Sequence, residues 1–388
     1  MAEEPVPNGN SPRDSDDVRR TLVALNLVHG DRGLICALAQ RLRTAGELRS
    51  DRFAEEAASS LEAPLDRVRT ILLAARGRLD DARAEMARAS EGGVEIVTLF
   101  DPEYPPALAD LGLQAPPVLY VRGRLAVAPG ISIVGSRKAD AYGLEVASWF
   151  ARRLAAAGLV VISGFARGID QAAHRSALAA RAGTGSTAAV LGCGIDVDYP
   201  RGSRRTAAEI ARHGCLITEF PLGRQPRAHH FPIRNRLIAA LGFASLVVRA
   251  ARRSGSLITA RLALDLGRDV YAVPGSVLSR ESAGAHLLLR DGAIPALDPD
   301  AMLETLPTSI LAQLERPEAD AAARGRSAAG VSDVDDLLVA LRDGARTPEE
   351  LASRLQRPVP GILATLARLE VDGLVRRYEG ANYALMAR

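Results

Sequence analysis

The densest concentration of chemistry in the 388-residue sequence is Arg227-Ala-His-His-Phe-Pro-Ile-Arg-Asn-Arg236. Arg227, Arg234 and Arg236, the amide of Asn235 and the ring of Phe231 lie close together there. Guanidinium groups pair with phosphate oxygens, and a ring set among them offers a flat face for a base. That is what a groove for a single nucleic-acid strand requires. A merely solvated basic turn has no need of Phe231 and Asn235 between its charges. The segment reads as a loop entering a helix at Leu237 to Leu241.

Three further segments fit an anion. Ile133-Val-Gly-Ser-Arg137 ends an apolar run before Tyr142-Gly143 opens a helix, so Gly135, Ser136 and Arg137 can cradle a phosphate. Ser163-Gly-Phe-Ala-Arg-Gly-Ile-Asp170 follows the next run, and its Gly164 and Arg167 join the candidate contacts. Ser254, Gly255 and Ser256 precede a helix after Arg252-Arg253, where free N–H groups and the helix dipole favour negative charge. Arg249, at the end of the preceding run, is expected to make that edge still more basic.

The same segments argue against catalysis. Asp170 and His174 are four apart on a helix and could act as acid and base. With no nucleophile or metal-ligand set nearby, a structural His–Asp contact that holds the glycine turn is the better reading. A phosphoribohydrolase would need a PGGxGT loop with a following glutamate, and a dinucleotide oxidoreductase needs GxGxxG with a ribose acid; neither pattern is present. Cys36, Cys193 and Cys215 are far apart and form no CxxC pair, so no zinc site or disulfide framework is expected. No cofactor and no metal is expected.

Charge distribution carries more than net charge. The formal net charge is only +3, yet residues 201–261 hold twelve arginines against Glu209 and Glu219. Lys138 is the only lysine, so arginine richness partly reflects composition, but that bias does not remove acids from the same stretch. A positive field over the middle of the chain attracts phosphates.

The elements that must position these residues follow from apolar periodicity. Between Ile131 and Leu297, runs at 131–134, 160–162, 187–191, 215–218, 245–248 and 270–273 alternate with helical patterns, which is the signature of a parallel sheet covered by helices. The fold class expected is α/β, an extended Rossmann-like, mostly parallel sheet over 94–306. Strand patterns at 94–100 and 118–121 lead into it. Residues 17–93 read as an all-helical domain, with helical spacing at 21–28, 33–42 and 65–73. Residues 1–16 read as a disordered tail, 307–330 as a linker and 331–388 as a winged-helix domain whose wing is 373–378 and 381–385. The wing domain's eight arginines face nine acids, which suits a protein contact or auxiliary clamp better than a duplex reader. Neither a membrane-spanning run nor a signal peptide is read, so a cytoplasmic location is expected.

Taken together, GSR with YG, SGxAxGID with AH, GxGID with YP, ExPxG, FPxRNRxI, SGSLITA, AVPG and the closing DGA resemble the DprA/Smf family over essentially the whole chain. The order and spacing of the set are specific where each member is not. The resemblance implies a SAM/helix-hairpin-helix-like helical domain, a Rossmann-like domain that binds single-stranded DNA, dimerisation through that domain, and loading of RecA recombinase during natural transformation. It places DNA contacts on Ser136, Arg137, Arg227 to Phe231, Arg234 to Arg236 and Ser254 to Ser256. Two positions depart from the family pattern: Ser203 stands where Asn is usual, and Arg249 where Glu is usual.

Overall fold

The computed structural model describes residues 12–125, 128–180, 187–315, 337, 340–341, 347–355, 359–371, 375–378 and 382–385. Six short apolar runs become parallel strands because nearly every residue in them is buried, as expected when helices cover both faces of a sheet. They are β3 (Gly130–Gly135), β4 (Val160–Ser163), β5 (Thr187–Val190), β6 (Cys215–Thr218), β7 (Gly242–Val248) and β8 (Asp269–Ala272). With β1 (Glu95–Thr98), β2 (Val118–Gly123) and β9 (Ile294–Pro295) they form a nine-stranded sheet in the order β1-β2-β6-β5-β4-β3-β7-β8-β9. Pairing is parallel from β6 through β9, whereas β2 runs antiparallel to both β6 and β1.

Helices α6 (Ala141–Ala156) and α7 (Ile169–Ala179) bury Phe150, Leu154 and Ile169 against one face of the sheet. Helices α9 (His230–Leu241) and α10 (Ser256–Asp265) bury Leu237, Ile238 and Ala260 against the other, and the sheet region also carries α8 (Arg204–His213), α11 (Ala283–Arg290) and α12 (Pro299–Glu304). The chain leaves β3 for β4 on one side and β7 for β8 on the other, so the order reverses between β3 and β7. A crevice opens at such a reversal, outside the carboxyl ends of the strands. Gly135 is required there, because a Cβ on it would lie 2.0 Å from the Val248 carbonyl.

The N-terminal helices are α1 (Pro12–Asn26), α2 (Arg32–Arg41), α3 (Asp51–Ser60), α4 (Leu65–Arg76) and α5 (Leu79–Glu91). Leu22, Leu25, Ile35, Leu38 and Leu72 share one apolar core with Tyr120, Leu191 and Leu216 of the sheet region. Helices and sheet therefore form one compact unit that extends to Glu315. A buried ion network pins the junction: Arg32 Nε donates to Glu219 at 2.9 Å, Arg236 donates to both Glu219 oxygens, and Asn26 donates to the Glu219 carbonyl at 3.1 Å.

Two segments differ from their sequence reading. Helix α1 begins at Pro12, inside the span read as a tail, and residues 1–11 lie outside the described residues. The stretch read as a linker opens with a helix, α13 (Thr308–Glu315), while 316–330 lie outside the described residues. Its first turns carry Ile310 and Leu314, which pack on the core and make a helix favourable.

The second unit contains α14 (Pro348–Leu355), α15 (Val359–Val371) and an antiparallel pair, β10 (Val375–Tyr378) and β11 (Asn382–Leu385), with Val375 opposite Leu385. Leu351, Ile362, Leu366, Val375 and Tyr383 make its core. Parts of the expected wing, 373–374 and 381, lie outside the described residues.

Candidate nucleic-acid interface

The crevice between β3 and β7 is a cavity of about 790 Å³. Ser136 and Arg137 reach it from the end of β3, Ser254, Gly255 and Ser256 from the turn after β7, and Arg227, Phe231, Arg234 and Asn235 from the approach to α9 and its first turns. Nine of the twelve candidate residues thus share one concavity. Lys138, Tyr199, Asp170 and Glu281 complete the charged and aromatic part of its wall. Lys138 had a visible signal, as the sole lysine directly after Gly-Ser-Arg. Glu281 had none, since nothing in its neighbourhood marks a site.

Phe231 is the centre of the wall. The Arg137 guanidinium lies 4.9 Å from its ring centroid and Arg234 lies 6.0 Å away. Tyr199 packs at 5.5 Å, tilted by 39°, and a Cβ on Gly192 would come within 2.9 Å of the ring. The ring is therefore fixed in place, half-buried, with an exposed cation above it. A cation over an aromatic face is favourable by about 0.5–1 kcal/mol where water has access.

The arginines do different work from one another. Arg137 and Arg227 are exposed, as is Lys138. Arg234 is only 3 % exposed and donates to the carbonyls of Gly164 (2.7 Å) and Val190. Burial pulls its pKa down to about 10, with Asp170 opposing the shift, so it remains a cation at neutral pH beneath the cavity floor. Gly164 has no room for a side chain, because a Cβ would sit 2.6 Å from that guanidinium. Gly164 itself does not line the cavity, and neither does Arg167, whose side chain is exposed elsewhere.

Arg236 corrects the sequence reading. The segment read as a loop is already helical from His230, and successive helical residues turn by about 100°. Phe231, Arg234 and Asn235 therefore share a face at i, i+3 and i+4, while Arg236 points away into the buried network with Glu219 and Arg32. Its role is to tie the helical segment to the sheet. Arg249 is a second correction: it is buried at φ 54°, paired with Asp140, and donates to Ser282 as well. It adds no free charge to the cavity edge.

The glycine turn is also held differently from its expectation. Asp170 accepts from the Ala166 N–H at 3.2 Å, while His174 Nδ1 lies 2.7 Å from the Thr187 hydroxyl. Burial lowers the His174 pKa to about 3, which keeps the ring neutral. The acid thus holds the turn without the histidine. At the other departure, Ser203 is buried and donates to the Pro200 carbonyl, away from the cavity lining.

At both expected phosphate cradles the local donors already have partners within the chain. The Ser136 N–H is committed to the Arg249 carbonyl at 2.8 Å, and its hydroxyl donates to Glu281 at 3.2 Å. At the start of α10 most N–H groups are also engaged: Ser254 N–H donates to the Ala251 carbonyl at 3.0 Å, Ser256 N–H to the Ser254 hydroxyl at 3.4 Å, and Leu257 and Ile258 N–H to the Ser254 and Gly255 carbonyls. The positive end of α10 faces the cavity. With Arg137, Lys138, Arg227 and Arg234 against Asp170 and Glu281, the wall carries a cationic excess. Among the described residues no cluster of His, Cys, Asp or Glu could hold a metal, and the three cysteines are buried and unpaired.

Residues 95–307 match the family model for DNA recombination-mediator protein A. The chain belongs to that family. It is 37% identical over 285 residues to Protein Smf of Escherichia coli (strain K12), covering 73% of this chain and 75% of that one. Over 198 residues it is 40% identical to DNA processing protein DprA of Streptococcus pneumoniae (strain ATCC BAA-255 / R6), covering 50% and 68% respectively. The X-ray structure of DNA processing protein A from Streptococcus pneumoniae aligns with a TM-score of 0.57 at 30% identity, covering 72% of this chain and 99% of that one. As a member of a family of recombination mediators, the DprA-like chain is not an enzyme. No helix among the described residues is long and apolar enough to cross a membrane.

Proposed function

We propose that the chain binds single-stranded DNA without sequence specificity in the β3–β7 crevice, shields incoming DNA and loads RecA recombinase during transformation and recombination. The observation that carries this reading is the Phe231 ring, fixed from below and capped by Arg137 at 4.9 Å, in a cavity with excess positive charge. A base takes the place of the guanidinium on the ring, and the guanidinium turns to the neighbouring phosphate. Stacking is tolerant of sequence because every base has a π-face. Contact residues are Ser136, Arg137, Arg227, Phe231, Asn235 and Ser254 to Ser256, with Lys138 added. Arg234 supplies a buried positive charge, while Gly164 shapes the floor that Arg234 fills.

Membership in the family further supports a homodimer formed through the sheet region, a cytoplasmic location, and flanking SAM-like and winged-helix domains that meet protein partners. Labelled oligo-dT titrated with the full chain at several salt concentrations tests the binding claim. Binding that weakens steeply with salt is expected, with little competition from duplex. Equal affinity for duplex, or none for oligo-dT, overturns it.

A further inference from the structure

The Arg227 to Phe231 segment also borders a second cavity, of about 350 Å³, between the helical segment and the sheet. His29 enters it from the turn between α1 and α2, Arg32 from the first turn of α2, Arg78 from the turn between α4 and α5, Arg224 from the loop after β6, and His229 and His230 from the start of α9. None of its lining residues is acidic. Arg32 already has Glu219 as a counter-ion, and Arg78 has only a surface contact to Asp81 at 3.2 Å. Among the described residues Arg224 has no carboxylate within ion-pair distance, and its Nε is buried without a hydrogen-bond partner.

Arg224 instead donates to Nδ1 of His29 at 3.1 Å. An imidazole that accepts at Nδ1 carries its proton on Nε2, so His29 presents an N–H donor. The crowding registers on both groups. Burial and then the neighbouring Arg224, Arg78 and Arg227 lower the His29 pKa, while burial, Arg227 and Arg32 lower that of Arg224. Arg224, which has no carboxylate partner among the described residues, is repelled by the neighbouring guanidinium groups, and an anion relieves that repulsion.

We infer that this cavity is a second phosphate-binding site on the path of the same strand, where Arg224, Arg78 and His29 hold the backbone of nucleotides that leave the first cavity past Arg227. The inference rests on the single-strand reading above. Continuity favours a phosphodiester over an acidic peptide, since one short segment lines both cavities, Arg227 and Phe231 the first and His229 and His230 the second. The helical segment then binds nucleic acid directly, and affinity depends on strand length.

The test uses the full chain with labelled oligo-dT of about 6 and about 20 nucleotides, bracketing a short and a long site. Arg78→Ser and, separately, His29→Ala are compared with the unmodified protein, with urea midpoints to verify folding. Arg78→Ser is expected to reduce the salt slope for the long oligonucleotide by about 0.7 and its affinity near ~0.1 M salt by about fivefold. Binding of the short one should not change. Long-strand binding identical to the unmodified protein in both variants overturns the second site alone. If the unmodified protein binds neither length, the single-strand reading falls and takes this one with it. Polyglutamate binding that Arg78→Ser abolishes, without any effect of oligonucleotide length, assigns the cavity to an acidic peptide and overturns the inference.

Discussion

Replacing Arg137 by alanine separates a phosphate partner from a packing residue. The side chain is exposed and makes its described contact with the Phe231 ring, so its loss should change folding stability by less than about 0.5 kcal/mol. Binding should change chiefly in its salt dependence. One phosphate contact to a single strand contributes about 0.7 to the slope of log K against log salt, which near ~0.1 M salt corresponds to about fivefold in affinity. The cation–π contact with Phe231 is given up when a base takes the ring, so its loss in the free protein works the other way and offsets about 0.5–1 kcal/mol, or about two- to fivefold. Together these predict a drop of at most about fivefold, with the fall in salt slope as the decisive signature. Fluorescence anisotropy with labelled oligo-dT across a salt series measures both parts. Arg137→Lys should keep the slope and most of the affinity, because an ammonium replaces the charge that meets the phosphate. If Arg137→Ala weakens binding with an unaltered slope, or if it lowers the urea midpoint, Arg137 is not a phosphate partner and the crevice is not the strand's path.

Other substitutions sort the remaining roles. Phe231→Ala should cost about 1–3 kcal/mol of oligonucleotide binding with the salt slope unchanged, since stacking releases no counter-ions; anisotropy at a single salt concentration would not reveal the distinction, so a series is required. Gly164→Ala places a methyl 2.6 Å from the Arg234 guanidinium and should destabilise the fold by about 1–3 kcal/mol, as seen in a denaturant melt, while also displacing the Phe231 wall. Glu219→Gln leaves Arg32 and Arg236 facing each other without a counter-ion and should cost about 3–5 kcal/mol of stability with little direct effect on binding. Burial alone raises the Glu219 carboxyl, and Arg236 and Arg32 more than reverse it, holding it at about 2 against an ordinary 4.5. Its contribution is therefore present above the ordinary carboxylate pKa and is lost as pH falls from there toward about 2, so acid melts of the unmodified chain and Glu219→Gln should converge in that window.

Much of this architecture was legible because parallel strands buried on both faces are uninterrupted apolar runs. Val160–Ser163 and Cys215–Thr218 are of that kind, and each ends at the turn that the sequence marks with glycine or a small polar residue. The start of α10 at Ser256 was legible too, since serine and glycine before an apolar helix signal its start. Helix α3 was not named from sequence. Its amphipathic spacing is clear, but its buried residues are Phe53 and three alanines at 54, 57 and 58, so it carries few of the large apolar residues by which the other helices stand out. The beginning of α9 was missed because Pro232 and two histidines look like loop residues, although proline is well suited to a helix's first turn, where its absent N–H has no partner to lose.

Charge was the property that sequence reported least faithfully, and the reason is geometric. A count of arginines over 201–261 treats every guanidinium as a free field source. Burial and pairing decide otherwise: Arg236 is consumed by Glu219, Arg249 by Asp140, and Arg234 donates downward into two carbonyls. Of the candidates in that stretch, Arg227 keeps an exposed charge at the crevice, and the remaining exposed cations there, Arg137 and Lys138, come from the end of β3, seventy residues or more upstream of the densest segment. The crevice is positive because the strand order reverses between β3 and β7 and brings those two chain segments together. A composition argument reaches the correct sign through the wrong residues, and only variants chosen by geometry, Arg137→Ala against Arg236→Ala, can tell the two accounts apart: the first should weaken strand binding in a stable protein, and the second should destabilise a protein whose folded fraction binds as before.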